Sequence, residues 1–426
     1  MRVMHVTHLF CASALLVATS AVSAEDSALA ETPTVSAADR EAWLADYAGL
    51  KTSMQQGYAN LDWIVAHRGL DLADLDRKTI DRLAAAQSRA DAVAAIDTFF
   101  AAFRDPHFRP SRGAAPEASL LNAAGVVAHE QSDVQPSAER EPRSQYCADL
   151  GYRTEARSSA FELADLDGWT PLESQFFTAG TSARTAVMRI PSFDEADYLA
   201  ACEAAWLPGR TSRETRLATR ALLQAELARL ANGLRDGGAE VLAIDITGNG
   251  GGSEWSEEAA ALFTARELQR PSPRLVDGRC DRSAIWRNEP VCSNLTPPGD
   301  VDRLSGLGAW QGPVVVLVDH RSASAAEDFA YWLVGSGVAR LVGERTFGAG
   351  CGYMDGGWAY QFTAFDAHAM MPNCSRYTAD GINQIEGLEP LWRSTGRPGW
   401  ALLRARSTGL ADNPHGGGTR LANSAL

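Results

Sequence analysis

Val314-Val-Val-Leu-Val-Asp-His-Arg-Ser-Ala-Ser-Ala-Ala-Glu327 runs directly into Phe329-Ala-Tyr-Trp-Leu333. Five apolar residues followed by a small-residue turn predict a buried strand, and the stretch after Ser324 predicts a helix. A turn of this kind lifts one hydroxyl out of the chain. It also sets that hydroxyl at the positive end of a helix dipole, where a developing negative charge is favoured, and this is how a serine nucleophile is presented. Ser324 with Glu327 three residues on is equally a capping box, which closes many helices that have no chemistry. The turn alone leaves both readings open.

Working outward, residues 184–190 read as a strand, 214–234 as a long amphipathic helix ended by Gly237-Gly238, and 240–245 as a second strand. Gly248-Asn-Gly-Gly-Gly252 closes that strand, and a further helix is expected near Ser253; 341–343 and 359–364 read as more strands. Strand, helix and strand in alternation predict an α/β core. Residues 37–103 carry helical spacing, with Trp43, Tyr47 and Leu50 on one face, and Asp105-Pro106 ends the last helix. Residues 111–185 are rich in Ala, Ser and Glu, with strand-like pieces such as 126–128, and read as an insertion. No internal repeat is present.

Composition narrows the function classes. The formal charge of -14 argues against nucleic acid and anionic membranes as partners. The first residues, an apolar segment over 9–22 and Ala21-Val22-Ser23-Ala24 before Glu25, fit a cleaved secretory signal, too short to span a membrane. The mature chain is then expected to be periplasmic or secreted, without a membrane span. Beyond Cys11 there remain Cys147, Cys202, Cys280, Cys292, Cys351 and Cys374, an even set for an oxidising compartment. By loop length Cys280 with Cys292 and Cys351 with Cys374 are the cheapest pairs. No C-x-x-C pair occurs, so neither a metal site nor a cofactor is expected. Lys51 and Lys78 are the only lysines, so a lysine base is confined to the N-terminal segment.

A serine hydrolase needs a nucleophile, a base within reach and N–H donors aimed at the oxyanion. Gly248 to Gly252 could supply bare backbone N–H groups, although the same run could be a plain turn; no Lys-Ser/Thr follows it as a phosphate loop requires. In order and spacing, Asp245-Ile-Thr-Gly-Asn-Gly-Gly-Gly252, the serine turn and Val342-Gly-Glu-Arg-Thr-Phe-Gly-Ala-Gly350 resemble the C-terminal-processing, or tail-specific, serine peptidases. Phe99-Phe-Ala-Ala-Phe-Arg-Asp-Pro-His107 looks like that family's helix and Asp-x-His turn. Val187-Met-Arg-Ile-Pro-Ser-Phe193 looks like the strand opening its core, and 381–390 like its late Gly-x-x-Pro turn.

The resemblance implies a Clp-protease/crotonase-like α/β core with an N-terminal helical domain. It makes Ser324 the nucleophile, with Ser322 a neighbour, and places the oxyanion donors at Ala325 and among Gly250, Gly251 and Gly252. Well-known members carry a lysine base where this chain has Ala349. A tricorn-like branch uses a histidine, which His107 matches, with Glu386 as the candidate carboxylate. His320 is the rival base, and Glu327 is assigned to the capping box. No peptide-binding PDZ module is legible in 111–185.

The expected organisation is a signal peptide over 1–24, a helical domain over 25–110, the insertion over 111–185, the peptidase core over 186–403 and a tail over 404–426. The expected function is an exported serine endopeptidase acting on peptide or protein substrates. The alternatives are a peptidase-like binding protein without turnover, and an esterase on small molecules.

Overall fold

The structure is a computed structural model, and residues 35–116, 143–154 and 168–393 are described. The expected signal peptide, the strand-like piece at 126–128 and the tail lie outside them.

Apolar runs without alternation make strands that are covered on both faces. Val241–Asp245 and Val314–Val318 are such strands, buried at every position. They occupy the middle of a seven-stranded sheet with strand order Trp392–Arg393, Ala339–Gly343, Val314–Val318, Val241–Asp245, Thr185–Arg189, Thr178–Ser182 and Thr170–Leu172. The first five run parallel. The last two turn back antiparallel.

The strands at 170–172 and 178–182 extend the sheet into the segment read as an insertion. Thr170-Pro-Leu and Thr178-Ala-Gly-Thr-Ser carry too few large apolar residues for a strand pattern to stand out. The helix Ser212–Asp236 lays Leu223, Leu227, Leu230 and Leu234, at helical spacing, into the same core as the sheet. The helix Ala325–Gly335 adds Phe329, Ala330 and Leu333.

Four helices form the N-terminal part: α1 Ala37–Gly57, α2 Leu61–Arg68, α3 Leu72–Ala85 and α4 Arg89–Phe103. Ser36 and Asp39 close a capping box at the start of α1. Trp43, Tyr47, Leu50 and Met54 form its inner face and pack with Phe99, Phe100 and Phe103 of α4. That cluster also holds Trp286, Phe362, Phe365 and Met371 from much later in the chain, so the helices share a core with the C-terminal half. Asp46 of α1 is buried and accepts from Thr363 N at 2.9 Å, Thr363 Oγ1 at 2.7 Å and Ala364 N at 2.7 Å. This anchoring ends the expected 359–364 strand early: Trp358–Gln361 turns at Asp46 and pairs antiparallel with Ala367–Met371, which the sequence reading missed. Ala367–Met371 pairs in turn with Arg109–Arg112, in the register Arg109 to Met370.

Three disulfides close the structure: Cys280–Cys292 and Cys351–Cys374, as loop length suggested, and Cys147–Cys202. Among the described residues no helix is long and apolar enough to cross a membrane.

Arg282, fully buried, donates to Gln55 O at 2.8 Å and to Met54 O and Tyr58 O at 3.0 Å, and so gathers the carbonyls at the end of α1. Replacing Arg282 with Met removes these charge-assisted bonds and the ion pair with Asp62 at 3.3 Å. We expect a loss of at least about 2 kcal/mol in denaturant unfolding, with unchanged circular dichroism below the transition.

Candidate active site

Ser324 closes the turn between strand and helix with φ 55° and ψ −120°. A non-glycine residue at positive φ costs on the order of 1–3 kcal/mol and persists only where the surroundings hold it. Three contacts hold it here. Asp319 Oδ1 accepts from Arg321 N and Ser322 N, each at 3.0 Å, and from Gly248 N at 2.8 Å, so one carboxylate gathers the turn and the glycine loop. Ala323 N donates to Asn249 O at 3.0 Å. Glu327 reaches back to Ser324 N at 3.0 Å.

Glu327 does more than the expected cap. It is fully buried, and it also accepts from Thr346 Oγ1 at 2.5 Å, Gly348 N at 2.9 Å and Ala349 N at 2.7 Å. Burial pushes its pKa above the usual carboxylate range, against the pull of these donors. The carboxylate therefore ties the serine turn to the 346–349 segment. Ser322, by contrast, is wholly buried and donates to Ile246 O at 2.8 Å, so it serves the framework.

The glycine run lies against the turn. A Cβ on Gly251 would stand 2.8 Å from both Ala325 N and Ser324 Cβ, and Gly251 has φ 99°. Glycine is required there for approach as well as conformation. Gly251 N is engaged by Asn249 Oδ1 at 2.9 Å. Gly252 lies beside Phe193, which donates to Gly251 O at 2.9 Å and accepts from Ser253 N at 2.9 Å.

A cavity of about 670 Å³ opens beside the turn, and Ser324, Ala325, Gly252 and His107 all line it. His107 follows α4, which ends in a left-handed Arg104, and the Asp105 carboxylate accepts from His107 N at 2.9 Å and from Tyr58 OH at 2.8 Å. Tyr353 OH donates to His107 O at 2.6 Å, and the two rings meet edge to face. Gly352 packs on the imidazole so closely that a Cβ there would stand 2.9 Å from Nε2. Nδ1 is buried without a hydrogen-bond partner among the described residues. Burial lowers the His107 pKa, opposed by the charge of Asp105 and assisted by Arg109 and Arg376.

The structure thus brings together Ser324, Ala325, His107 and the glycine run. It does not bring Glu386 to them. That carboxylate belongs to a short turn before Gly387, whose φ is 79°, and accepts from Arg68 Nε at 3.1 Å and Trp63 Nε1 at 3.2 Å. His320 is exposed and bonded to Glu344 at 2.6 Å, away from the cavity lining. Lys51 pairs with Asp76 and Lys78 with Asp74, and neither lines the cavity. Sequence reasoning passed over Asp105 as a functional group, although the Asp-x-His pattern was in view. It also passed over Tyr353 and Arg376, for which no local signal exists.

A strand–turn–helix serine thus stands beside a glycine loop in a mixed α/β sheet, with helices ahead of it. Residues 184–355 match the model of Peptidase family S41. Among solved structures the chain is similar to mature CPAF, at 15% identity over 90% of this chain and 100% of that one, with a TM-score of 0.57. Mature CPAF complexed with lactacystin gives 13% identity over 88% and 99%, at the same TM-score of 0.57. A protein from Parabacteroides merdae gives 14% identity over 89% and 99%, with a TM-score of 0.51. At these identities the likeness establishes the fold: N-terminal helices on a mixed sheet, as in CPAF.

Glu327→Gln presents an amide N–H₂ to donors that now meet a carboxylate oxygen. We expect a loss of about 1–3 kcal/mol in denaturant unfolding, and a raised mobility of 346–349 in hydrogen exchange.

Proposed function

We propose that this protein is an exported serine endopeptidase of the histidine-using, lysine-less branch of its family, acting on peptide or protein substrates. The observation that carries the reading is a strained serine turn and a histidine lining one cavity, which no lysine lines. His107 takes the Ser324 proton as Oγ attacks the scissile carbonyl, and then gives it to the leaving amine; water repeats the cycle on the acyl-enzyme.

The oxyanion falls to the N–H groups of Ala325 and Gly252. Ala325 is the first residue of its helix, so its N–H has no intrahelical acceptor, and both residues line the cavity. Gly251 N, taken by Asn249, supports the loop. Asp105 is the carboxylate whose charge favours the imidazolium that forms. Glu386 acts through Arg68, which also donates to Phe103 O at 2.9 Å and so steadies the end of α4 ahead of His107. Three disulfides support an oxidising, extracytoplasmic location.

A second reading, a peptide-binding protein without turnover, draws on the unpartnered His107 Nδ1, since nothing then fixes the tautomer a base requires. A fluorophosphonate probe decides between the two, because it labels only an activated serine. We expect labelling of the wild type at Ser324 and none of Ser324→Ala; an unlabelled wild type that still binds peptide would establish the second reading. His107→Ala should lower kcat/KM by at least roughly two orders of magnitude, and full activity would remove His107 as base.

The pH profile follows from the lowered His107 pKa. Protonation of the base then requires a pH below its ordinary 6.5. The rate should therefore hold through neutrality and fall with a single titration below that value as pH drops. A limb above pH 7 would contradict the assignment.

A further inference from the structure

We propose that Arg376 forms a subsite that binds a carboxylate of the substrate next to the Ser324 turn, an assignment that rests on the peptidase reading above. Arg376 lines the same cavity as Ser324 and His107 and retains 13% exposure of its side chain. It follows the Cys351–Cys374 disulfide, which joins the strand pair at 374–375 to the segment carrying Gly352. The backbone two residues ahead of Arg376 is thereby tied to the segment that packs on His107.

The argument is one of donors and acceptors. Arg270, the neighbouring buried guanidinium, is saturated: Nη2 pairs with Glu257 at 2.7 Å, Nε with Asp302 at 3.3 Å and Nη1 with Asp328. Its face stacks on Trp332, 4.3 Å from the ring centroid. Glu257 and Asp302 are committed to it, and Glu254 at the cavity edge pairs with Arg220. Among the described residues Arg376 has a single carboxylate within ion-pair distance, Asp328 at 3.0 Å from Nη1, already shared with Arg270. Its Nε is buried with no acceptor among the described residues. Asp328 is shared between the two guanidiniums while Glu257, Asp302, Glu327 and Glu254 act on Arg376 through space, and an unpaired buried donor costs more than a paired one gains. Burial lowers the Arg376 pKa to about 10, opposed by the charges of Glu257, Asp302, Glu327 and Glu254.

A planar guanidinium with spare donors takes a carboxylate best, by charge-assisted hydrogen bonds. Two sources present that group to a peptidase cavity: an acidic side chain near the scissile bond, and the terminal carboxylate of the substrate. Ser256 and Ser272 also line the cavity; the Ser272 hydroxyl donates to Asp302, and the Ser256 hydroxyl is buried without a partner among the described residues.

The test uses the full chain as Ser324→Ala, so that binding is read without turnover. Four fluorescent peptides of one sequence carry Glu or its isostere Gln internally, each with a free or an amidated C-terminus, and anisotropy gives the four Kd values. At least one carboxylate should tighten binding by about tenfold or more over its neutral counterpart. A gain with Glu alone assigns the side-chain source, and a gain with the free terminus alone the terminal one. Adding Arg376→Gln should reduce the ratio to within about twofold, while Arg109→Gln keeps it. Where Arg376→Gln does not fold, Arg376→Lys serves, and a ratio reduced by about threefold or more supports the subsite. Equal Kd values for all four peptides overturn the proposal. So do no binding by any of them, or an unchanged ratio in a folded Arg376 variant. Probe labelling of the wild-type serine is a separate readout, so a protein that labels but shows no carboxylate preference loses the subsite and keeps the peptidase function.

Discussion

A buried carboxylate that accepts four hydrogen bonds holds the site in shape. Glu327 takes the N–H of Ser324 on one side, and Thr346 Oγ1 and the N–H groups of Gly348 and Ala349 on the other. Without it the strained serine would lose one of the three contacts that hold its φ, and the 346–349 segment would lose its seat against the turn. Thr346 continues the chain of contacts, since its hydroxyl accepts from Leu388 N at 2.7 Å. One acid thereby orders the turn, the following loop and the late segment carrying Gln384 and Glu386.

Desolvation makes such an arrangement unforgiving. A buried acid is tolerable only when its lone pairs are taken up, and half-satisfied it would be worse than an apolar residue. The 346–349 segment meets that requirement with backbone N–H groups, which cannot swing away as side chains can. Gly348, at φ 90° and with a Cβ position 2.3 Å from Ile385 O, has no room for any other residue. This packing also bears on the absent lysine: Ala349 is buried where a lysine would have to bring its charge.

Much of the core was legible because its physics is local. Val314–Val318 and Val241–Asp245 declare themselves as buried strands by unbroken apolar runs, and the long helix by its leucine spacing and closing glycines. The positions of Ser324 and the glycine run followed from resemblance as well as from turn chemistry. What escaped was non-local. The antiparallel edge at 170–182 is short and polar, the strand 367–371 is separated from its partner by a turn anchored on Asp46 of the first helix, and Glu386 faces Arg68 because of a left-handed glycine beside it. The arginine pair at 270 and 376 likewise converges on Asp328 from distant segments, so no window of sequence contains it.

The pairing of Arg109–Arg112 with Ala367–Met371 has a consequence for the order of folding. The segment carrying His107 finds its strand partner only in residues that leave the ribosome after the whole central sheet up to Ala339–Gly343. Contacts so far apart in sequence carry a high closure entropy, and they form late. The serine turn can assemble with its own strand and helix while the histidine wall of the cavity is still missing. A chain under synthesis, or one nicked before residue 371, thus holds the two walls apart, and the completed cavity reports that nearly the entire polypeptide has found its place.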